Sequence, residues 1–569
     1  MKTKIISLLM ATSLVSCSST TLDSSQEQVS VQEQVRDNAA SSTIESTLQL
    51  ESIEIAPPAS QLPAQWWEQA VFYEVFVRAY SDSSGDGHGD LQGLIAKLDY
   101  LEELGVTGLW LMPVTESEFN SNGYDVKDLR QIEQDYGSLE DFQQLIDEAH
   151  QRGMGVIIDW VVNHTSSANP IFQDALRNRD SQYRDWFIWS DRDLGWGRPW
   201  DPAAKVWHRT NGGYYYGLFF DFLPDWNYRN PEVIAYMKDS AKYWLNMGVD
   251  GFRVDAASHL IENGDGAQEN QPENHAVYQE FRELIDHYPN AFIVAEAPFT
   301  DDDYLGDGSD EFHSVFCFKC SQMLMSGVKN GSKRGVHGFL KRADSAVAGA
   351  NYATLLSNHD PFAGERAVTA MRGNHDKAKL AASLMLTGPG IPFVYYGEEI
   401  GMTAIDRSLV PWEDAVSRIP MQWDDSDNAG FTTAKPWRNI NPDYRQVNVA
   451  QQVDDPQSML SHYRQMIALR NQHLALATGE FELLETSGEH KAKTVAFVRH
   501  NAEQRLLVVA NLDEQPLEVQ LSLAGSAIAS SQPEFARDVR TGERLGIDAA
   551  ELQLNAALPA FGLKVYSLE

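Results

Sequence analysis

Charged and polar side chains follow several of the short apolar segments in this sequence, at the points where buried strands would end. They are Asp159, Asn163, His164, Arg253, Asp255, Glu296, Asn358, His359 and Asp360. A single carboxylate beside an apolar strand is more often half of a structural ion pair. Several such strand ends that converge on one mouth of a barrel make that alternative weak, and they predict a catalytic site built on carboxylates.

Apolar segments of the β type alternate with amphipathic helical stretches from residue 69 onward. Eight strand candidates begin near Val71, Val106, Met154, Val249, Ala291, Ser314, Tyr352 and Ile391. Ser138, followed by Asp141, also predicts a capped helix start. This alternation is typical of a parallel sheet covered by helices, so we predict an α/β fold of the (β/α)8 TIM barrel type.

Two parts of the chain depart from this alternation. Residues 165–231 are rich in Trp, Tyr, Asp, Gly and Asn, and because a structureless loop of that length is rare, we predict an inserted subdomain after strand 3. Its aromatic residues could stack on a ligand, although packing of a small domain is their commoner use; they are Trp196, Trp200, Trp207, Tyr214, Tyr215 and Tyr216.

Residues 478–569 read as alternating strands and predict a C-terminal antiparallel β-sandwich. The barrel then comprises residues 61–164 and 232–477.

The first residues resemble an export signal. Lys2 and Lys4 precede an apolar run that is too short to span a bilayer, and the run ends at Cys17 in a segment that resembles the lipobox of bacterial lipoproteins. Residues 18–60 have the composition of a flexible tether. We therefore expect an exported protein, anchored by a lipid on Cys17 and facing the periplasm or held in the outer membrane. An ordinary signal peptide with an incidental cysteine is the alternative.

Charge and cysteine content exclude some function classes. The formal net charge is −36, with 81 acidic and 45 basic residues, so the protein should not bind nucleic acid. Cys317 and Cys320 lie in a segment that reads as a strand, where positions three apart are roughly 10 Å apart on opposite faces. We expect both cysteines to be structural, with a strained disulfide as the alternative.

Four segments resemble, in order, the signature motifs of the α-amylase family of glycoside hydrolases (family thirteen). They are residues 159–164, 251–259, 293–296 and 356–360, and each ends a predicted strand. Residues 223–227 resemble a further motif, in the form found between oligosaccharide-acting and polymer-acting members. With its N-terminus, the chain resembles the bacterial lipoprotein α-amylases.

The resemblance implies a role for each carboxylate. Asp255 would be the nucleophile and Glu296 the acid/base, roughly 5 Å apart as retention of configuration requires. Asp360 would grip sugar hydroxyls and stabilise the oxocarbenium-like state. Arg253 stands two residues before Asp255, so both point to the same side of the strand and the guanidinium should favour the ionised nucleophile.

The same resemblance implies sugar contacts and a metal site. Tyr124 would stack on the central sugar, His164 and His359 would hydrogen-bond it, and Asp125 would add a contact. The segment from residue 82 to 90 resembles the family's calcium loop, with a flexible turn as the alternative; its ligands would be Asp82, Ser84, Asp86 and Asp90, with the carbonyl of His88. A second calcium site would use Asn163 and the carbonyl of His259, with a ligand from the insertion that the sequence does not identify.

These implications predict a monomeric α-amylase that hydrolyses α-1,4 bonds of starch-like polymers and maltodextrins, with calcium and no organic cofactor. Ser258 weakens the polymer assignment, because many polymer-acting members carry Lys there, and Glu296 is followed by Ala-Pro-Phe where Val or Ala with Trp is commoner. The alternatives are an exo-acting α-glucosidase or oligo-1,6-glucosidase, or a transglycosylating relative such as a trehalose synthase. A non-catalytic glycan-binding lipoprotein is a further alternative, but binding alone does not require the set Asp255, Glu296 and Asp360.

Overall fold

The computed structural model describes residues 50–57, 60, 62–410 and 414–569. Its centre is a closed barrel of parallel strands that pair in chain order. The barrel strands are β1 (Phe72–Val75), β2 (Gly108–Leu111), β3 (Gly155–Trp160), β4 (Gly251–Val254), β5 (Phe292–Ala295), β6 (Ser314–Phe316), β7 (Asn351–Leu355) and β8 (Ile391–Tyr395). β8 closes on β1, with Phe72 opposite Phe393. The predicted TIM barrel is confirmed, and all of the predicted strand segments contribute a strand.

Helices follow the strands along the chain, and several of them begin at a residue whose side chain caps the first turn. The helices are Val77–Tyr80, Leu91–Ile95, Leu98–Leu104, Leu139–Gln151, Pro170–Arg177, Pro231–Met247, Pro272–Ile285, Phe318–Lys329, Lys333–Ala343, Ala367–Ala370, His375–Thr387, Val449–Gln452, Met459–Gln472 and Leu474–Thr478. Ser138 and Asp141 form the predicted capping box at the start of Leu139–Gln151. Two other helices begin with an Asn cap followed by Pro, which fits the first helical position.

Aromatic side chains fill the interior and the N-terminal end of the barrel. Trp66 and Trp67 are buried with Phe72, Phe292 and other inward-facing side chains in one apolar cluster. Gly155 makes room for this apolar cluster, because a Cβ there would lie 2.3 Å from the ring of Trp66. The C-terminal mouth therefore remains as the end of the barrel at which the polar strand ends can meet.

The segment between β3 and β4 forms the predicted inserted subdomain. It contains helix Pro170–Arg177 and a three-stranded antiparallel sheet of Trp189–Ser190, Trp207–Thr210 and Gly213–Tyr216. A short antiparallel pair, Thr115–Ser117 with Val126–Ile132, follows β2.

The C-terminal region consists of two antiparallel sheets that share an apolar core. Its strands are Glu480–Leu484, Thr494–His500, Arg505–Asn511, Leu517–Ser522, Phe535–Asp538, Arg544–Gly546, Gln553–Leu558 and Leu563–Leu568. Leu517–Ser522 and Gln553–Leu558 form the smaller sheet, and the other strands form the larger one. The predicted antiparallel β-domain is present.

The prediction that Cys317 and Cys320 share a strand is wrong, and the structure shows the disulfide that was the alternative. β6 ends at Phe316, and Cys317 caps helix Phe318–Lys329. One helical turn brings residues three apart onto the same face. The Cα atoms lie 5.1 Å apart, and the two cysteines form a disulfide.

The predicted lipid anchor, Cys17, lies outside the described residues. Among the residues that the structure describes, no helix is both long and apolar enough to cross a membrane.

Candidate active site

Arg253 in β4 lies at the centre of the C-terminal mouth of the barrel. Its buried guanidinium donates from Nη1 to Oδ1 of Asp159 at 2.5 Å and to Oδ1 of Asp255 at 2.6 Å. Its Nη2 lies 2.9 Å from Oε1 of Glu296. The strand register produces this arrangement, because Asp159 in β3 pairs directly with Arg253 in β4. One guanidinium thus orients carboxyl groups from three neighbouring strands.

Burial raises the pKa of two carboxyl groups around Arg253, those of Glu296 and Asp159. It raises the pKa of Glu296 to about 8, with Asp255 and Asp360 adding to the rise and Arg253 opposing it. Burial also raises the pKa of Asp159 to about 6. At neutral pH Glu296 therefore holds a proton that it can donate, which is the state that a general acid requires.

His359 and Asp360 follow β7 and form a second charged group. His359 lies 2.5 Å from Oε1 of Glu74 through Nδ1 and 3.1 Å from Oδ2 of Asp360 through Nε2. Arg418 donates from Nη2 to Oδ1 of Asp360 at 2.8 Å. Burial would lower the pKa of His359, but Asp360 and Glu74 raise it to about 9. Burial would raise the pKa of Asp360, but His359 and Arg418 hold it below its usual value. At neutral pH these two side chains form an imidazolium and a carboxylate.

Tyr124 and His164 lie close to these charged groups. The hydroxyl of Tyr124 is 2.8 Å from Nε2 of His359 and 3.3 Å from Oδ2 of Asp159. The rings of Tyr124 and His359 are nearly parallel, with centroids 5.7 Å apart. Burial lowers the pKa of His164, so its ring is neutral. The ring packs edge to face against Phe219, with ring centres 5.2 Å apart.

Asp125 is buried within its loop in the structure, whereas the prediction had it contact the sugar. Its side chain is fully buried, and its oxygens accept hydrogen bonds from the backbone N–H groups of Asn120 and Ser121 at 2.9 and 3.1 Å. Asp125 therefore shapes the loop that carries Tyr124 and, in this conformation, presents no surface to a ligand.

Sequence reasoning missed several members of this site. Glu74 is an acidic residue inside the apolar strand β1, and the same pattern that singled out Glu296 would have found it. Trp110 donates from Nε1 to Oδ2 of Asp159 at 3.1 Å, but an aromatic residue in a strand carries no specific signal. Arg418 lies in an irregular segment after β8, so only the folded chain shows that it pairs with Asp360.

The predicted calcium loop is held together by its own hydrogen bonds. Asp82 accepts from the N–H groups of Gly85 at 2.7 Å and Gly87 at 2.8 Å, and Asp90 accepts from that of Gly93 at 2.6 Å. Within the described part of the chain, no three His, Cys, Asp or Glu side chains converge as a metal site. Calcium at Asp82, Ser84, Asp86, His88 and Asp90 stays a prediction, which thermal unfolding with and without calcium would test.

At the second predicted calcium site, Asn163 contacts a carboxyl group of the inserted subdomain that the sequence analysis did not identify. Asn163 donates from Nδ2 to Oδ2 of Asp225 at 3.1 Å, and Asp225 belongs to the inserted subdomain. Burial holds the pKa of Asp225 well above its usual range. Oδ1 of Asn163 is buried and finds no hydrogen-bond partner among the described residues. The amide oxygen of Asn163 and the carboxylate oxygens of Asp225 are the ligand types that a hard cation takes. Calcium at this site also stays a prediction.

Comparison with known proteins identifies the family. A model described as the α-amylase catalytic domain matches residues 74–479, which include all of the residues of the barrel mouth described above. The chain belongs to the α-amylase family. The expectation from the signature motifs is therefore confirmed, and the likeness to lipoprotein members stays a prediction.

Relatives in the α-amylase family carry more than one activity in their names. The trehalose synthase/amylase TreS of Mycobacterium tuberculosis is 35% identical over 529 residues, which span 82% of this chain and 85% of the relative. The oligo-1,6-glucosidase of Parageobacillus thermoglucosidasius is 32% identical over 515 residues, spanning 79% of this chain and 91% of the relative. The crystal structure of an α-amylase from H. orenii superposes with a TM-score of 0.75 at 34% identity and covers 88% of this chain and 99% of that one.

Proposed function

We propose that this α-amylase family member acts on the non-reducing end of short α-glucosides. It would form a glucosyl-enzyme with retention and pass the glucosyl group to water or to a second sugar. This proposal takes the oligosaccharide-acting alternative in place of polymer-cutting α-amylase. The observation that carries it is a chain of contacts that encloses the Asp360 side of the barrel mouth.

This chain of contacts, here called the wall, consists of Asn122, Arg438 and Arg418. Arg438 donates from Nη2 to Oδ1 of Asn122 at 3.3 Å and from Nη1 to the carbonyl of Arg418 at 2.8 Å. Arg418 in turn donates from Nε to the carbonyl of His359 at 3.1 Å and pairs with Asp360. The wall therefore joins the loop after β2 to the segment after β8, directly beside the charged pair.

Aromatic packing fixes the wall in place. The guanidinium of Arg78 lies 3.6 Å from the ring centre of Phe119, in the same loop as Asn122, and 5.7 Å from that of Trp437. The guanidinium of Arg438 lies 4.1 Å above the ring of Trp437. We expect a wall held in this way to stop the substrate after one sugar on the non-reducing side of the cleavage point, whereas a polymer would have to continue through it.

The chemistry follows from the charges around Arg253. A carboxylate oxygen of Asp255 attacks C1 of the terminal sugar while Glu296 gives its proton to the leaving oxygen. Glu296, now a carboxylate, takes a proton from the incoming water or sugar hydroxyl, which attacks C1 and releases Asp255. Asp360 and the His359 imidazolium grip hydroxyls of the sugar, and Tyr124 covers its face. The charge of Asp360 also favours the positive charge that develops on the sugar ring.

The relatives support an oligosaccharide substrate. A trehalose synthase/amylase and an oligo-1,6-glucosidase each align over most of this chain. The words trehalose synthase and oligo-1,6-glucosidase refer to short α-glucosides, whereas the word amylase in the first name refers to starch. A non-catalytic binding protein would have no use for the buried proton of Glu296 or for its pairing with Asp255 through Arg253.

A product time course tests the proposal. Maltose, isomaltose, trehalose, maltodextrins and amylose are incubated with the enzyme, and products are separated over time. We expect glucose or a rearranged disaccharide from the first minutes with the disaccharides, and slow release from amylose. Mid-length products that appear early from amylose would instead identify a polymer-cutting α-amylase. Asp255→Asn should abolish turnover and keep sugar binding, and turnover that survived would remove Asp255 as nucleophile.

The wall is tested by Arg438→Ala, which removes both of its joining hydrogen bonds. We expect the ratio of kcat/KM on maltoheptaose to kcat/KM on maltose to rise several-fold. The matched control is Arg445→Ala, an exposed arginine in the same segment after β8, which should leave the ratio unchanged. An unchanged ratio in Arg438→Ala would contradict the role of the wall.

A further inference from the structure

The aromatic residues of the inserted subdomain divide into two groups in the structure. Trp207 and Tyr216 are buried, and Trp196 packs against both of them, with ring centres 5.3 and 6.2 Å away. Trp200, by contrast, is 52% exposed. Packing therefore explains the first group, but it does not explain Trp200.

Trp200 and the neighbouring Phe219 form one surface, here called the aromatic shelf. Their ring centres are 5.7 Å apart. Trp200 meets the ring of His259 at 5.4 Å, and Phe219 meets His259 at 5.7 Å and His164 at 5.2 Å. The aromatic shelf is thus continuous with the predicted sugar-binding histidine that follows β3.

Backbone contacts place the aromatic shelf on the Glu296 side of the site. The N–H of Ala256 donates to Oε2 of Glu296 at 3.0 Å, and that of Ala257 donates to the Glu296 carbonyl at 2.9 Å. The same short segment ends at His259, against which the shelf packs. Because Glu296 protonates the leaving oxygen, the leaving and incoming sugars lie on this side, whereas the wall lies on the Asp360 side.

A buried nitrogen lies at the inner edge of the aromatic shelf. Within the described residues, Nε2 of His259 has no hydrogen-bond partner, and the nearest carboxylate oxygen, Oε1 of Glu269, is 4.0 Å away. A buried polar atom without a partner is costly. The C–H face of a sugar that lies beside His259 would pack on the indole of Trp200, which is exposed.

We propose that the aromatic shelf of Trp200 and Phe219 binds the acceptor sugar and so sets how often the glucosyl-enzyme is resolved by a sugar instead of water. The inference rests on the proposed function. In the step concerned, an acceptor hydroxyl attacks C1, the bond between C1 and Asp255 breaks, and Glu296 takes the hydroxyl proton. Water has no apolar face, so the shelf increases the local concentration of sugar alone.

The test uses α-glucosyl fluoride, because fluoride is too small to touch the aromatic shelf when it leaves. Fluoride release measures formation of the glucosyl-enzyme. The ratio of transfer product to free glucose with added maltose measures how often maltose, in place of water, accepts the glucosyl group. In Trp200→Ala we expect fluoride release without maltose to stay within about twofold of the wild type. The maltose concentration that gives half transfer should rise about tenfold, which corresponds to ~1.4 kcal/mol of acceptor binding.

Two further variants sharpen the result. Trp200→Phe keeps an aromatic ring and should retain most of the transfer. Phe220→Ala removes a residue of the same subdomain that is 46% exposed and stacks on Phe222, and it should behave as the wild type. Normal fluoride release in each variant shows that the site has folded.

The outcomes separate the inference from the function on which it rests. If Trp200→Ala divides its glucosyl groups between maltose and water as the wild type does, with normal fluoride release, the role of the aromatic shelf is overturned and the proposed function stands. A wild-type enzyme that releases neither fluoride from α-glucosyl fluoride nor glucose from short α-glucosides would overturn both. An equal loss of transfer in Phe220→Ala would also count against a specific role for Trp200.

Discussion

We expect the proton on Glu296 to control the rate at alkaline pH. Because its pKa is raised to about 8, the side chain is protonated and active below that pH and loses its proton above it. We expect kcat/KM on maltose to fall as the pH rises through about 8. A pH profile of the wild type and of Glu296→Gln measures this effect.

The Glu296→Gln variant supplies the control for that profile. Its kcat/KM on maltose should fall by about 10²–10⁴-fold and lose the alkaline limb, because Gln cannot donate a proton. Fluoride release from α-glucosyl fluoride should be spared, since fluoride needs little acid assistance. An alkaline limb that persisted in Glu296→Gln would assign it to another group.

We expect Glu74 to influence substrate binding through His359. Its carboxylate is one of the two groups that raise the pKa of His359 to about 9; Asp360 is the other, while Tyr124 and Asp159 also face the ring. In Glu74→Gln the pKa of His359 should fall, so the imidazolium that grips the sugar is lost at lower pH. We expect KM at pH 8.5 to rise about threefold to tenfold relative to KM at pH 6, as 1 pKa unit is ~1.4 kcal/mol.

The control for Glu74→Gln is Glu311→Gln. Glu311 is also buried and pairs with a histidine, His275, at 3.0 Å, but it lies outside the site. Its KM should keep the wild-type pH dependence. A pH-independent KM in Glu74→Gln would contradict the role of Glu74.

At the scale of elements, the turn after β8 contains a buried acid that links two neighbours. Glu398 accepts hydrogen bonds from Tyr463 of helix Met459–Gln472 at 2.8 Å and from Ser357, just after β7, at 3.1 Å. Burial raises its pKa from 4.5 to about 8. The folded protein therefore binds this proton more tightly than the unfolded chain does, so the free energy of unfolding decreases as the pH rises from about 4.5 to 8.

Glu398→Gln removes this titration and keeps groups that can hydrogen-bond both neighbours. We expect its Tm to decrease less than that of the wild type between pH 5 and pH 8.5, and to exceed it at pH 8.5. Glu503→Gln, at an exposed position, should follow the wild type. Parallel Tm curves for Glu398→Gln and the wild type would show that the proton on Glu398 does not couple to folding.

At the scale of the whole molecule, the barrel and the C-terminal sheets share an apolar core. Phe497, Val508 and Val565 from the larger sheet belong to the same buried cluster as Leu384 and Ile467 from barrel helices. Separation of the two parts would expose this surface to water. We therefore expect residues 62–569 to unfold in a single calorimetric transition, and two transitions well separated in temperature would contradict this.

Attachment to a membrane is a further property of the whole chain. Cys17 is predicted to carry the lipid, and the described residues contain no helix able to span a bilayer. Cells that express the protein with labelled palmitate should yield a labelled, membrane-associated product, and Cys17→Ser should yield an unlabelled one. Membrane association of Cys17→Ser equal to that of the wild type would contradict the anchor.

The sequence by itself determined the barrel and the family. Strand positions follow from alternating apolar and helical segments, because each strand must be buried on both faces and each helix on one. Asp255, Glu296 and Asp360 could be selected because they stand at strand ends, and strand ends of a parallel barrel must meet at one mouth.

Tertiary structure decided what depends on contacts between distant segments. Arg418 and Arg438 come from an irregular segment, and the wall that they form with Asn122 joins residues more than 300 positions apart. The disulfide between Cys317 and Cys320 depended on where β6 ends and the next helix begins, and a boundary shift of a few residues reverses the prediction. Solvent exposure distinguishes Trp200 from the buried members of a set of six similar aromatic residues. Exposure is a property of the folded surface that no local pattern encodes.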